Sequence, residues 1–129
     1  MTTQAAILSL IAELARERKM ATILITHDLA MASEYCDRIV VMHAGHIVET
    51  APTSELFRQP RHPYTARLIA STPGPEQSIS TLASIPGNLP DLRRDDLPSC
   101  RFHARCDRAK DDCISTPLPN TAVRCLHPL

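Results

Sequence analysis

The chain has 129 residues, of which 14 are basic and 14 are acidic, so its formal net charge at neutral pH is zero. This balance gives no basis for a general role in binding nucleic acid or another polyanion. No apolar run approaches the roughly 20 residues of a membrane span, and the first residues lack the basic and apolar regions of a secretory signal. We therefore expect a protein of the cytoplasmic side without a transmembrane segment.

Composition changes along the chain. All 11 prolines lie at or after Pro52, and four of the five cysteines lie at or after Cys100. The first part is typical of an α/β core, whereas about the last 60 residues are typical of a loop-rich appendage. The whole chain has two Phe, two Tyr and no Trp. Because such an appendage buries little apolar surface, we expect it to need a metal, disulfides or a partner.

The first predicted elements are a helix, a buried strand and a short helix. Thr3 is a suitable N-cap for a helix that runs to about Lys19 and carries one apolar stripe. The next segment, "ATILIT" from Ala21 to Thr26, is short, continuous and β-branched, which predicts a strand covered on both faces. The short helix begins at His27 and Asp28, directly after this strand.

A hairpin is predicted next, with strands from Arg38 to Met42 and from His46 to Glu49 around Ala44 and Gly45. The later segments are two helices and an irregular stretch, namely Pro52 to Pro60, His62 to Thr72 and Pro73 to Pro98. A single buried parallel strand cannot stand without ladder partners. The sequence therefore predicts the tail end of an α/β domain and looks incomplete on its N-terminal side.

Several segments together resemble a known family. The H-loop (switch) region in the nucleotide-binding subunits of ABC transporters resembles "ILITHDL", and the strand pair after it resembles "DRIVVMHAGHIVE". The C-terminal extension of the oligopeptide/dipeptide-importer ATPases resembles "RHPYTARLIAS", "IPGNLP" and "CRFHARC". The segment just after the Walker B motif and D-loop is similar to "TTQAAILSL", so the resemblance covers Thr2 to Leu129.

The resemblance implies an α/β fold in two parts. Residues 1–60 would be the C-terminal piece of a P-loop NTPase (ABC ATPase) domain, and residues 61–129 a small loop-rich, Cys-containing extension. A phosphate-binding loop needs G-x-x-x-x-G-K-[ST], and none of the glycines (Gly45, Gly74 and Gly87) begins one. No Walker A motif, Q-loop, signature motif or Walker B carboxylate can be placed. We therefore expect a truncated product, a mis-set start codon or an excised C-terminal half that hydrolyses no ATP alone.

His27 is the predicted catalytic and nucleotide-binding residue. The resemblance implies that it contacts the terminal phosphate of ATP, which is bound with Mg, and helps to orient the attacking water. An imidazole at the carboxyl end of a strand can donate to a phosphoryl oxygen and stabilise charge in the transition state. The alternative is a histidine at a strand-to-helix corner, hydrogen-bonded to backbone. Asp28 is expected to begin the helix rather than to act in catalysis.

The four C-terminal cysteines are the predicted metal ligands. They follow the pattern C-x5-C-x6-C-x11-C, as Cys100, Cys106, Cys113 and Cys125. Clustered thiols in a cytoplasmic, proline-rich region favour a metal site over disulfides, and four thiolates can hold tetrahedral zinc or a four-iron cluster. The wide spacing favours the cluster, with zinc as one alternative and free thiols or adventitious disulfides as another. Cys36 lies apart and is expected to be a small buried apolar residue.

The resemblance implies the same site, because some peptide-importer ATPases hold an iron–sulfur cluster on a similar set of cysteines. Two positions depart from the family. Asp107 stands where Pro often follows the second cysteine, and Leu126 separates Cys125 from His127 where Cys-His is common. His103 and His127 are reserve ligands, with a solvated surface role as the alternative for each.

The resemblance also implies a function. An ATP-binding subunit of this family couples ATP binding and hydrolysis to the uptake of oligopeptides or dipeptides. It works with a second ATP-binding subunit beneath the permease subunits, peripheral to the cytoplasmic side of the membrane. Two alternatives stay open, namely a stand-alone metal-binding regulatory module and a non-functional remnant.

Overall fold

The computed structural model describes residues 3–72 and 84–129, within two compact units, Met1–Asp37 and Arg38–Leu129. The regular elements are α1 (Thr3–Arg18), α2 (Leu29–Tyr35), β1 (Arg38–His43), β2 (His46–Pro52), α3 (Thr53–Arg58), α4 (Pro63–Ala70) and α5 (Asp112–Ser115). A 3-10 turn, His103–Arg105, precedes α5. This confirms a chain of mixed helices and strands. The predicted domain division between residues 60 and 61 falls inside the second unit and stays a prediction.

The first unit consists of α1, α2 and the segment between them. Asp28 precedes α2, and its Oδ1 accepts a hydrogen bond from the backbone N–H of Met31 at 3.0 Å, which satisfies a free donor of the first turn. The expected role of Asp28 at the helix start is therefore confirmed. The Tyr35 hydroxyl donates to the carbonyl of Ala5 at 3.3 Å and connects the two helices. Within the described helices, none is long and apolar enough to cross a membrane.

The predicted strand from Ala21 to Thr26 is wrong. This segment has no regular secondary structure, and Ile23 and Ile25 are 90% and 93% exposed. A strand requires partners for its backbone donors and acceptors. Among residues 3–72 and 84–129, the only sheet consists of β1 and β2, so nothing described pairs with this segment. The β-branched residues of this segment do favour an extended conformation. A high β propensity alone, however, provides no neighbouring strand for backbone hydrogen bonds.

The second unit begins with the predicted hairpin, which is confirmed. β1 and β2 pair antiparallel, and their strands extend to His43 and Pro52. Ala44 and Gly45 join them with φ angles of 49° and 82°, both positive, as the tightest hairpin turns require. Alternate residues of β1 are buried, which places the His43 side chain on the inner face.

A C-terminal segment, residues 120–129, covers the free edge of β2. The backbone N–H of Thr50 donates to the carbonyl of Ala122 at 2.7 Å, and that of Arg124 donates to Val48 at 2.9 Å. Between these bonds, Val123 forms a β-bridge with Glu49. The hairpin edge is thus paired with residues more than 70 positions later in the chain.

The core of the second unit is built around Phe102. Its ring makes edge contacts with His43 and Tyr64, with centroids 5.3 Å and 5.2 Å away. Cys100 and Cys113 complete the same buried cluster. The two predicted helices after the hairpin are confirmed as α3 and α4, and residues 84–98 are irregular as expected. The earlier part of that irregular stretch, residues 73–83, lies outside the described residues.

Candidate metal centre

The structure brings the four predicted cysteine ligands together. They line one small cavity of about 10 Å³ in the second unit. Cys100 and Cys113 are buried, whereas Cys106 and Cys125 are half-buried. All five cysteines of the chain lie in the described ranges, and none of them forms a disulfide bond. We call Cys100, Cys106, Cys113 and Cys125 the four-cysteine site.

Four separate segments position these thiols. Cys100 is fixed by its backbone N–H, which donates to the carbonyl of Cys113 at 3.0 Å. Cys113 itself lies in α5, and Cys106 follows the 3-10 turn, where its N–H donates to His103 at 3.2 Å. Cys125 follows Arg124, which is anchored on β2. A metal bound here would therefore connect α5, the C-terminal segment and the two loops around the 3-10 turn.

Burial controls the protonation of these sulfurs. It raises the pKa of the thiols of Cys100, Cys106 and Cys125 above their ordinary value, and neighbouring thiols add to the shift for each. A buried thiolate needs a cation beside it, so without one these groups hold their protons. Metal binding would have to displace those protons, which makes it dependent on pH.

A second influence acts in the opposite direction. The backbone N–H of Phe102 donates to the Cys100 sulfur, and the resulting hydrogen bond lowers the pKa of that thiol. In the same way, the backbone N–H of Arg108 donates to the Cys106 sulfur, and that of His127 donates to the Cys125 sulfur. Each of these hydrogen bonds lowers the pKa of the thiol. Amide donors aimed at sulfur stabilise the thiolate form that metals bind. These donors therefore suit a metal bound by thiolates. Among the described residues, the group with ligand atoms within 4.8 Å of one another is Asp112, Cys113 and His127 rather than the four cysteines.

Both reserve ligands, His103 and His127, line the cavity, and His127 also lies in a second small group with Asp112 and Cys113. The ligand atoms of this group lie within 4.8 Å of one another. The Nε2–H of His127 donates to the Asp112 carboxylate at 2.8 Å, and this bond lowers the pKa of Asp112. This contact connects the C-terminal segment to α5, and the reserve-ligand role of each histidine stays a prediction.

Two further residues at this site were not predicted from the sequence. Asp112 directly precedes the predicted ligand Cys113, and this adjacency could have indicated that Asp112 lies at the site. His62 lines the same cavity and is 1% exposed, but it lies almost forty residues before Cys100 and opens a segment that reads as a helix start. No spacing rule connects it to the cysteines.

His27 and Cys36 belong to the first unit, whereas the four-cysteine site belongs to the second. His27 is exposed between the irregular segment and the cap residue of α2, and its predicted role stays a prediction. Cys36 is half-buried at the end of α2, where its N–H donates to Ala32 at 3.1 Å. The expectation that Cys36 is buried is therefore wrong.

Comparison with known proteins decides the family. The family described as "Oligopeptide/dipeptide transporter, C-terminal region" matches residues 48–113, which is half of the chain and includes the first three ligands of the four-cysteine site. The chain belongs to this family. The match begins within β2 and ends within α5, so the family's characteristic region is the second compact unit.

Curated relatives extend the similarity of this oligopeptide/dipeptide transporter family member. The oligopeptide transport ATP-binding protein AppD of Bacillus subtilis is 42% identical over 131 residues, which cover 96% of this chain and 39% of AppD. The oligopeptide transport ATP-binding protein OppD of Escherichia coli is 42% identical over 117 residues, 90% of this chain and 34% of OppD. The dipeptide transport ATP-binding protein DppD of Escherichia coli is 43% identical over 112 residues, 87% of this chain and 34% of DppD. The chain thus spans little more than a third of the length of these relatives.

Proposed function

We propose that this chain corresponds to the C-terminal part of the ATP-binding subunit of a peptide ABC importer. The observation that carries the proposal is the 42–43% identity to oligopeptide and dipeptide transport ATP-binding proteins over nearly the whole chain. The subunit would couple ATP binding and hydrolysis to peptide uptake. Its partners would be the permease subunits and a second ATP-binding subunit, and it would lie peripherally on the cytoplasmic side of the membrane.

In this proposal residues 1–60 are the C-terminal piece of a P-loop NTPase domain, residues 61–129 are the extension, and His27 is the H-loop histidine. The exposed imidazole would donate to the terminal phosphate of ATP, which is bound with Mg. Phosphoryl transfer depends mainly on positioning and on a metal held by other motifs. Because the sequence contains no phosphate-binding loop, the purified chain should release no phosphate from ATP above a His27→Ala control. Release that depends on His27 would overturn the expectation that the chain alone is inactive.

The four-cysteine site is the second part of the proposal. We infer that it holds a metal on four thiolates, either zinc or a four-iron cluster, and that the metal would fasten the four segments to one another. An iron–sulfur cluster would additionally supply a one-electron redox centre. Support comes from the converging thiols and their backbone N–H donors.

The test is an anaerobic absorption spectrum of the purified chain with iron, sulfide and zinc analysis. Cys106→Ser removes one ligand, and Cys36→Ser is the matched control in the first unit. A visible band with about four irons per chain, lost only in Cys106→Ser, would support the cluster. One colourless zinc with the same dependence would support the zinc form. Metal content that is equal in both variants, or absent from the wild type, would overturn the site.

The compactness of the second unit favours one alternative function, a metal-binding regulatory module without hydrolysis. Genomic sequence separates the two. In-frame Walker A and Walker B motifs directly upstream would support the ATPase subunit and overturn the stand-alone module.

A further inference from the structure

His62 is held rigidly at the start of α4. Its backbone N–H donates to Oε2 of Glu49 at 2.9 Å, and the N–H of Arg61 donates to Oε1 of the same carboxylate at 2.9 Å. Glu49 and His62 are each 1% exposed. The two oxygens of the buried Glu49 carboxylate thus bind the N–H groups of two consecutive residues. These hydrogen bonds fix the backbone position of His62.

The hydrogen bonds of the ring define its tautomer. Nδ1 of His62 accepts a hydrogen bond from the backbone N–H of Tyr64 at 3.0 Å, which caps α4. An acceptor nitrogen carries no proton, so the proton of the neutral ring lies on Nε2. The ring is therefore neutral, with a single donor at Nε2.

This donor is buried without an acceptor among the described residues. Nε2 of His62 is fully buried and has no hydrogen-bond partner in residues 3–72 and 84–129. His62 lines the same cavity as the four cysteines, beside Phe102, whose ring centroid lies 6.2 Å away. Buried donors without partners are rare in folded proteins and call for an explanation. The four cysteines line the same cavity as this donor, so their sulfurs are the candidate acceptors.

We propose that Nε2–H of His62 donates a hydrogen bond to a metal-bound sulfur of the four-cysteine site. The inference rests on the metal site proposed above. Neutral thiols accept hydrogen bonds weakly, whereas metal-bound thiolate or cluster sulfide carries negative charge and accepts them well. The tautomer also excludes His62 as a direct ligand, because Nε2 carries the proton while Nδ1 caps α4. His62 is thus a positioning residue that stabilises the charge on sulfur.

The discriminating variant is His62→Asn. The Asn side-chain oxygen can accept from the Tyr64 N–H, since Asn is among the best N-caps, but Asn places no donor where Nε2–H lies. Thr65→Val is the matched control. Thr65 is equally buried in α4 and its hydroxyl has no partner among the described residues, yet it does not line the cavity.

The probe is Co²⁺, added anaerobically to the metal-free 129-residue chain and followed by its sulfur-to-cobalt charge-transfer band. We expect His62→Asn to bind Co²⁺ about ten- to a hundredfold more weakly than the wild type. We also expect its band to move to longer wavelength, because sulfur that loses a hydrogen bond gives up electron density more easily. Thr65→Val should change neither quantity. A merely structural role of His62 would not shift the band.

The outcomes separate the two proposals. Wild-type binding with an unchanged affinity and band in His62→Asn would overturn the role of His62 and leave the metal site standing. Failure of the wild type to bind Co²⁺, together with no metal in the iron, sulfide and zinc analysis, would overturn both. If His62→Asn does not fold, the wild type decides: the NMR resonance of the His62 Nε2 proton should shift when the chain is loaded with Cd²⁺. An unshifted resonance in the Cd²⁺-loaded chain would overturn the inference.

Discussion

The carboxylate of Glu49 accepts a hydrogen bond from the backbone N–H of His62 at 2.9 Å, in a site that water does not reach. This contact joins the middle of β2 to the start of α4. It also explains why an acidic residue lies buried in a strand, since a second N–H, from Arg61, occupies the other oxygen. Buried polar groups are stable when all their hydrogen bonds are made, and costly when one is lost.

The first prediction concerns this carboxylate. Glu49→Gln replaces one acceptor oxygen by an NH₂ group that faces a backbone N–H, so two donors oppose each other. We expect the free energy of unfolding to fall by about 1–3 kcal/mol, measured by urea unfolding with circular dichroism. Glu55→Gln, an exposed acid in α3, is the matched control and should change it by less than about 0.5 kcal/mol. Equal effects of the two substitutions would contradict the role of Glu49.

The second prediction concerns pH. Burial and the nearby Arg105 guanidinium lower the pKa of His43 from its ordinary 6.5 to about 4. The unfolded chain therefore binds a proton at His43 before the folded chain does. As pH falls from about 6.5 to about 4, His43 should reduce the free energy of unfolding by at most about 1.4 kcal/mol per pH unit.

The control for this pH effect is His43→Gln, which offers an acceptor to Arg105 but does not titrate. Urea unfolding of both proteins at pH 7 and pH 5 measures the difference. We expect the wild type to lose more stability between these two values than the variant. Parallel losses would show that His43 does not titrate in this range.

The third prediction concerns the aromatic core. Phe102 packs against the rings of His43 and Tyr64 and against the buried cysteines. Phe102→Ala should reduce the free energy of unfolding by about 3–5 kcal/mol and lower metal content, because the cavity it leaves adjoins the four-cysteine site. Leu89→Ala, at an exposed position, is the control. A loss below about 1 kcal/mol for Phe102→Ala would contradict its central place in the core.

The fourth prediction separates two sets of candidate ligands. Asp112 and His127 form a half-exposed hydrogen bond, and such exposed polar contacts contribute up to about 1 kcal/mol. Asp112→Ala should therefore weaken Cd²⁺ binding by less than about tenfold, while Cys106→Ser should abolish it. Asp111→Ala, a change of an exposed neighbour, is the control. If Asp112→Ala abolished binding as fully as Cys106→Ser does, the ion would be held by the Asp112, Cys113 and His127 group instead.

Local signals predicted most of the secondary structure. The periodic stripe of α1, the Ala44-Gly45 turn and the proline at the start of α4 each act over a few residues, so the sequence alone was sufficient. The strand predicted from Ala21 to Thr26 failed because a strand depends on distant partners that its own residues do not specify.

The candidate site was predicted only in part, for a similar reason. Four clustered cysteines in a proline-rich region with few aromatic residues indicated that they would converge, and they line one cavity. The place of His62 depends on Glu49, thirteen residues earlier, and on sulfurs much later in the chain. Asp112 belongs to the site because it contacts His127, which lies fifteen residues away in sequence. Such relations arise from tertiary packing and leave no periodic trace in the sequence.

The pairing of β2 with the C-terminal segment sets the order in which the second unit can form. The bonds from Thr50 to Ala122 and from Arg124 to Val48 join residues whose synthesis is separated by more than 70 codons. Until the ribosome has made the C-terminal segment, the edge of β2 is unpaired. The four-cysteine site is also incomplete, because Cys125 is not yet present. Contacts between such distant residues are slow to form and leave strand edges exposed meanwhile. The unit must therefore complete its fold after translation of its last segment, when all four sulfurs are available together.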